Sequence, residues 1–124
     1  MTIKEVSEKT GLTQDTLRYY ERVGMIPEVP RSAGGIRNYG EEELRWIDLA
    51  KCMRSSGLPI EVMIEYLKLY KDGEATIPAR LELLKEQMEI LTEQKKKIQE
   101  TMNRLSYKIS RYEEAVETGT LEWK

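Results

Sequence analysis

The feature that most constrains this chain is an apolar repeat in its second half. From Ile77 to Val116, seam positions recur at alternating spacings of four and three residues, and Lys95 is the one charged position among them. Such a repeat predicts a long helix with a single apolar stripe, the pattern of a coiled coil. The positions that we expect to pack in a dimer seam are Leu81, Leu84, Met88, Leu91, Ile98, Met102, Leu105 and Ile109.

A helix with this stripe needs a partner. About forty residues at about 1.5 Å each make a rod about 60 Å long, and a continuous apolar stripe of that length is unfavourable in water. The chain contains no second long heptad helix. The sequence therefore predicts a homodimer in which a second copy covers the stripe.

Composition excludes several function classes. The chain has one cysteine and no histidine, so an intrachain disulfide framework is impossible and the commonest metal ligand and general base is missing. We find no nucleophile–base pair and no phosphate loop, and expect neither enzyme activity nor a cofactor nor a bound metal. Without an apolar run of about 18 residues or a signal peptide, the protein is expected to be cytoplasmic and to make no membrane contact.

The N-terminal residues have the pattern of a helix-turn-helix. A capping box at Thr2–Glu5 starts a first helix that should run to about Lys9, Gly11 allows a tight turn, and a second helix should span Gln14 to Val23. If Leu17 and Tyr20 face the core, the opposite side of the second helix is free to meet DNA. That side carries Gln14, Arg18, Tyr19 and Arg22. The alternative is the solvated face of an ordinary helical hairpin.

A glycine pair follows the second helix and predicts a β-hairpin wing. Gly34-Gly35 lies between Arg31 and a predicted strand over Ile36–Tyr39. From such a wing Arg31, Arg37 and Tyr39 could reach DNA phosphates or the minor groove; the alternative is a surface loop with chance basic residues. Two further helices are expected, over about 41–55 and 60–70. Because the formal net charge is −2, any DNA contact must use a local basic face rather than bulk charge.

The segment Thr13–Ile26 resembles the signature of the MerR family, in which a TLRYYE core is followed by a glycine and an apolar pair. The order of the remaining elements also matches, from the wing ending in Arg37-Asn38-Tyr39 to the long terminal helix. The resemblance covers residues 1 to about 116.

This resemblance implies a mainly α fold: a winged helix-turn-helix DNA-binding domain over residues 1–73, a dimerisation helix over 77–116 that forms an antiparallel coiled coil, and a tail over 117–124. It also implies a mechanism. Family members bend and untwist promoter DNA so that RNA polymerase can engage both promoter elements, which is an indirect action through DNA shape. Double-stranded promoter DNA is thus the expected partner.

Cys52 is the candidate sensor residue. Apolar residues cluster on one side of the predicted third helix, whereas Cys52 falls between Arg45 and Asp48. Neighbouring Lys51 and Arg54 would stabilise a reactive thiolate. The stretch 51–54 resembles the NmlR/AdhR branch of the family, in which a lone cysteine in the third helix is linked to aldehydes, nitric oxide or disulfide stress.

Two alternatives stay open at this point. Cys52 could be an inert small hydrophobe, as free cysteines often are, with a non-covalent small ligand as the signal. The chain could also be a coiled-coil interaction protein that does not bind DNA, a class favoured by its near-neutral charge and disfavoured by the TLRYYE segment and the wing.

Overall fold

The computed structural model describes all residues from 1 to 124 and is mainly helical, as predicted. Four helices precede a short 3-10 turn, and a 42-residue helix follows it. Their bounds are α1 Ile3–Thr10, α2 Gln14–Val23, α3 Glu41–Ser55, α4 Ile60–Lys71, the 3-10 turn Glu74–Thr76, and α5 Ile77–Thr118.

Local capping sets the ends of the first two helices. The Thr2 hydroxyl accepts from the Glu5 amide and the Glu5 carboxylate accepts from the Thr2 amide, so the predicted capping box is present. Hydrogen bonding of the Glu5 carboxylate to the Thr2 backbone amide first, and to the Thr2 side chain second, lowers the pKa of Glu5. Gly11 ends α1 with a left-handed φ of 76°, and Thr13 caps α2 by accepting from the Thr16 amide.

The segment between α2 and α3 corrects one prediction. No strand forms over Ile36–Tyr39; instead a single antiparallel bridge joins Arg31 to Arg37. The hairpin is closed by hydrogen bonds from the Ser32 amide to the Ile36 carbonyl (2.7 Å) and from the Asn38 amide to the Pro30 carbonyl (2.7 Å). The two arms are too short to extend this pairing into a ladder, so the wing is a turn held by one bridge.

Tyr39 is a second correction. We expected this side chain to reach DNA, but it is 1% exposed and is among the largest fully buried side chains of the protein. Burial is also the main reason that the pKa of Tyr39 is raised. The ring has become part of the core between the wing and α3, and its hydroxyl cannot contact a phosphate.

The buried apolar side chains all come from the first 67 residues. They join α1, α2, the wing, α3 and α4 into one core, whose members are Val6, Leu17, Tyr20, Met25, Ile26, Val29, Tyr39, Trp46, Ile47, Ala50, Met53, Leu58, Met63 and Leu67. Leu17 and Tyr20 do face this core, as the spacing in α2 predicted. The side of α2 opposite Leu17 and Tyr20 is therefore not used in core packing.

The chain divides into two compact units, Met1–Lys85 and Glu86–Lys124. In α5 the seam residues from Ile77 to Val116 are mostly exposed; among the large apolar ones the exposed fraction reaches 85% at Val116. No helix of the protein is both long and apolar enough to cross a membrane.

Candidate nucleic-acid interface

The outward side of α2 holds its arginines in local contacts. Arg18 donates to the Asp15 carboxylate at 3.0 Å and, more weakly, to the Gln14 side-chain oxygen at 3.4 Å. The Arg22 guanidinium lies 5.4 Å from the centre of the Tyr19 ring, within cation–π range. Asp15 and Tyr19 each lie one helical turn before the arginine that they contact. These local contacts orient the two arginines without burying them.

Glu21 joins the same helix to the wing. One of its carboxylate oxygens accepts from Arg37 Nε at 2.8 Å, and the other accepts from the Val29 amide at 3.0 Å. Both charged side chains are largely buried, with 13% and 23% of their surfaces exposed. The terminal nitrogens of Arg37 are not used in this ion pair. Arg37 is therefore held in place by Glu21 while part of its guanidinium remains available.

The wing turn carries the other predicted arginine. Arg31 donates to the Gly35 carbonyl across the turn at 2.8 Å, and both residues are exposed. Gly35 has a left-handed φ of 78°, which a residue with a side chain would adopt only with strain. The bridge between Arg31 and Arg37 keeps the two basic residues on adjacent arms of this turn.

The structure thus brings most of the predicted contact residues together. Gln14, Arg18, Tyr19 and Arg22 share the outward side of α2, and Glu21 and the bridge link Arg37 and Arg31 to it. Tyr39 is the exception because it is buried. Sequence reasoning missed Asp15 and Glu21 as the carboxylates that position the arginines; an acid within an otherwise basic face was the signal that could have found them.

A concavity of about 530 Å³ next to Tyr19 was also missed. It lies between α2 and the first turn of α4, and its lining is formed by Thr16, Tyr19, Tyr20, Arg54, Pro59, Ile60 and Glu61. Burial raises the pKa of the Tyr20 hydroxyl here. Only the folded chain brings these segments together, since α2 and α4 are more than thirty residues apart in sequence.

Cys52 lies on the outside of α3, near its end. Its side chain is exposed, and its carbonyl accepts from the Ser55 and Ser56 hydroxyls at 2.9 and 3.0 Å. The two neighbouring basic residues contact backbone carbonyls. Lys51 donates to the Thr10 carbonyl at the end of α1, and Arg54 donates to the Leu58 carbonyl. The thiol is thus accessible, and Lys51 connects its helix to the helix-turn-helix.

These features define a class of protein. A helix-turn-helix with exposed arginines on its second helix, followed by a turn with further arginines, is the arrangement of DNA-binding regulators. The comparison with known families agrees: residues 1–69 match the model of the MerR HTH family of regulatory proteins, and the chain belongs to that family.

Several relatives are similar over much of the chain. The regulator AdhR of Bacillus subtilis is 50% identical over 93 residues, a match that covers 75% of this chain and 66% of AdhR, just under two thirds of its length. A crystal structure of a MerR family regulator from Listeria monocytogenes superimposes with a TM-score of 0.91 at 45% identity, covering 96% of this chain and 90% of that one.

A third comparison concerns a structure that contains DNA. HiNmlR, a MerR family regulator lacking the sensor domain, was crystallised bound to promoter DNA. It superimposes on this chain with a TM-score of 0.87 at 28% identity, over 97% of this chain and 95% of HiNmlR.

The Glu21–Arg37 contact leads to a first prediction. Glu21→Ala removes the acceptor of both Arg37 and the Val29 amide, and leaves a partly buried cation unpaired. We expect the free energy of unfolding in urea to fall by about 1–3 kcal/mol.

Asp15→Ala is the matched control on the same helix. It also removes a carboxylate from an arginine, but Asp15 is 96% exposed, and exposed ion pairs contribute little. Equal destabilisation by the two substitutions would contradict a structural role for Glu21.

Proposed function

We propose that this chain is a homodimeric transcriptional regulator that binds promoter DNA and responds to thiol-reactive electrophiles at Cys52. The observation that carries the DNA-binding part is the arginine face, which we define as Arg18, Arg22, Arg31 and Arg37. These side chains lie on α2 and the wing of one folded unit. A face of this kind supplies local positive charge in a chain whose net charge is −2.

Each part of the face has its own role in this proposal. Gln14, Arg18, Tyr19 and Arg22 enter the major groove from α2, where arginine and glutamine recognise base edges. Arg31 and Arg37 hold the DNA backbone from the wing, with Glu21 fixing Arg37. Phosphate contacts fix the position of the protein and base contacts supply specificity. The promoter DNA in the HiNmlR structure supports the same use of this fold.

The proposed mechanism is a change in DNA shape. Two helix-turn-helix units linked by a dimer engage two half-sites and impose a bend that costs several kcal/mol, which phosphate contacts offset. RNA polymerase is then affected indirectly, because the distortion changes how it meets the promoter elements. In this proposal residues 1–73 form the DNA-binding domain and residues 77–116 form the dimerisation helix.

The dimer is supported by the exposed seam of α5. Met88, Ile98, Met102, Leu105 and Ile109 are each more than half exposed in the single chain. Apolar side chains spaced in this way are stabilised when a second helix packs on them. In a homodimer the second copy of the chain provides that helix.

For DNA binding, we expect the arginines to differ in what they contribute. Arg18→Ala should weaken binding by about 1–3 kcal/mol and relax preference at one base position. Arg31→Ala should weaken binding to all DNA sequences by a similar factor. It should also reduce the slope of log affinity against log salt concentration by about one. The probe is a genomic fragment that the purified protein retains, titrated by fluorescence anisotropy.

Arg104→Ala controls for the loss of one positive charge, because Arg104 is an exposed residue of α5 outside the arginine face. It should leave affinity nearly unchanged. If Arg18→Ala and Arg31→Ala behave as Arg104→Ala does, DNA binds at another surface.

The substitution that tests the proposed dimer most directly is Met102→Lys. Met102 is 56% exposed in the single chain, so the change does not disturb packing within it but places a charge in the proposed seam. The variant should sediment as a 14.5 kDa monomer where the unmodified protein is a dimer. Asn103→Lys adds the same residue on the outward side of α5 and should remain dimeric. A dimeric Met102→Lys would exclude this seam.

The exposed thiol supports Cys52 as the sensor. An electrophile can reach an exposed sulfur without unfolding α3. The resemblance of residues 51–54 to the NmlR/AdhR branch favours a signal of this class. A two-state response requires only a few kcal/mol of differential stabilisation. The Lys51 contact with the Thr10 carbonyl gives a direct path from α3 to the end of α1.

We therefore expect Cys52→Ser to keep dimerisation and DNA binding and to lose induction, because the serine hydroxyl is not ionised near neutral pH and reacts poorly with aldehydes. The measurement is a promoter reporter challenged with formaldehyde, methylglyoxal, a nitric oxide donor and diamide. The combined variant Cys52→Ser, Ser55→Cys relocates an exposed thiol by one turn and should not restore the response. Equal induction in all three proteins would eliminate Cys52 and favour a non-covalent ligand.

A further inference from the structure

A small cavity between α3 and α4 has no role in the DNA interface. Its volume is about 220 Å³. An apolar cavity of about 150 Å³ is large enough to hold benzene, so one six-membered ring with its substituents fits here. We call this space the aromatic cavity, and its lining is formed by Glu42, Arg45, Trp46, Leu49, Tyr66 and Tyr70.

The aromatic rings of this cavity favour a planar ligand that is poor in electrons. Trp46 meets Tyr66 at a centroid distance of 5.5 Å and Tyr70 at 5.2 Å, with the rings tilted rather than stacked. The faces of such rings are electron-rich. The Arg80 guanidinium already lies 5.4 Å from the centre of the Tyr70 ring, and Arg45 adds a second cation at the rim. These charges disfavour a cationic ligand.

Trp46 brings an unused hydrogen-bond donor to the cavity. Its side chain belongs to the core and is only 8% exposed, yet its indole N–H has no acceptor within the chain. The nitrogen is not one of the fully buried unpartnered atoms, so it keeps contact with the open space that Trp46 lines. A tryptophan N–H in such a position usually has an acceptor. The ligand that fits therefore carries an acceptor such as a carbonyl oxygen.

Cys52 lies one helical turn beyond the cavity. Arg45 and Leu49 line the cavity from one side of α3, and Cys52 follows Leu49 by three residues. Side chains three residues apart on a helix have Cβ atoms about 5–6 Å from each other. The thiol is exposed, so a small ring held against Leu49 is within its reach.

We propose that the aromatic cavity binds a para-quinone and presents it to Cys52. A para-quinone is a planar, electron-poor six-membered ring with two carbonyl acceptors, and its ring carbons react with thiolates. The faces of Trp46 and Tyr70 hold the ring, and the Trp46 N–H donates to one carbonyl oxygen. This inference rests on the thiol sensing of the proposed function and names the class of electrophile.

The reaction is a conjugate addition that needs no further reagent. The Cys52 thiolate forms a carbon–sulfur bond at a ring carbon, and the electron pair of the carbon–carbon double bond moves to the conjugated carbonyl oxygen. That oxygen takes up the proton that the thiol gave to water. The hydrogen of the attacked carbon then moves through water to the other oxygen, which leaves a hydroquinone thioether. Arg45 forms no ion pair in the chain, so its charge is available to the oxygen on which negative charge develops.

The test compares two probes of the same thiol in the full chain, with adducts followed by mass spectrometry. Tyr70→Ala should slow modification of Cys52 by 1,4-benzoquinone about tenfold and Trp46→Phe about fivefold, because each removes a contact to the bound ring. Modification by iodoacetamide, which has no ring, should stay within about twofold. Tyr107→Ala is the matched control, since Tyr107 is 46% exposed and Tyr70 is 45% exposed. Equal effects of the cavity variants on both probes, or none on either, overturn the proposal.

A second measurement follows binding without the covalent step. In the combined variant Cys52→Ser, Trp123→Phe the only tryptophan is Trp46. Its fluorescence should be quenched saturably by tetramethyl-1,4-benzoquinone, whose ring carbons carry no hydrogen, and Tyr70→Ala should raise the midpoint about tenfold. Quenching that does not saturate overturns the site, even where Cys52 still mediates induction by aldehydes. Cavity-dependent adducts without promoter induction by 1,4-benzoquinone support the site and overturn the proposed sensing.

Discussion

The apolar stripe of α5 is the constraint on which the proposed assembly depends. Every buried apolar residue of the core lies before position 68, so the core stabilises the first unit and leaves the stripe uncovered. Burial of apolar surface is worth about 25 cal/mol per Å², so covering these exposed side chains with a second helix is the source of stability of the proposed dimer.

Within the first unit, carboxylates rather than arginines set the shape of the interface. Glu21 accepts from both the Arg37 side chain and the Val29 backbone, so one side chain fixes the wing relative to α2. Asp15 contacts Arg18 at the surface and is solvated. The difference in burial means that the first contact acts on structure, whereas the second acts mainly on the orientation of the Arg18 side chain.

Local signals predicted the helices well because each boundary has a local cause. The bounds of α2 follow from Thr13 and Gly24, which cap it, and the length of α5 follows from an uninterrupted heptad pattern. The strand expected over Ile36–Tyr39 was wrong because the arms of the wing are too short for a ladder. The other errors concern tertiary packing. Tyr39 follows an arginine and an asparagine in the predicted wing, which suggested an exposed side chain. Its ring is instead buried in the core, and no local sequence pattern predicts that burial. The Glu21–Arg37 pair spans sixteen residues and was missed for the same reason.

Cys52 lies next to a side chain that contacts the helix-turn-helix. Its neighbour Lys51 donates to the Thr10 carbonyl, one residue before the turn at Gly11 that sets the angle between α1 and α2. A hydrogen bond from a charged donor is worth about 1.5–3 kcal/mol. In the proposed dimer two such contacts amount to several kcal/mol, which is the scale of the proposed DNA bend. In this proposal, a change in α3 that weakens the Lys51 contact would couple thiol chemistry at Cys52 to promoter shape.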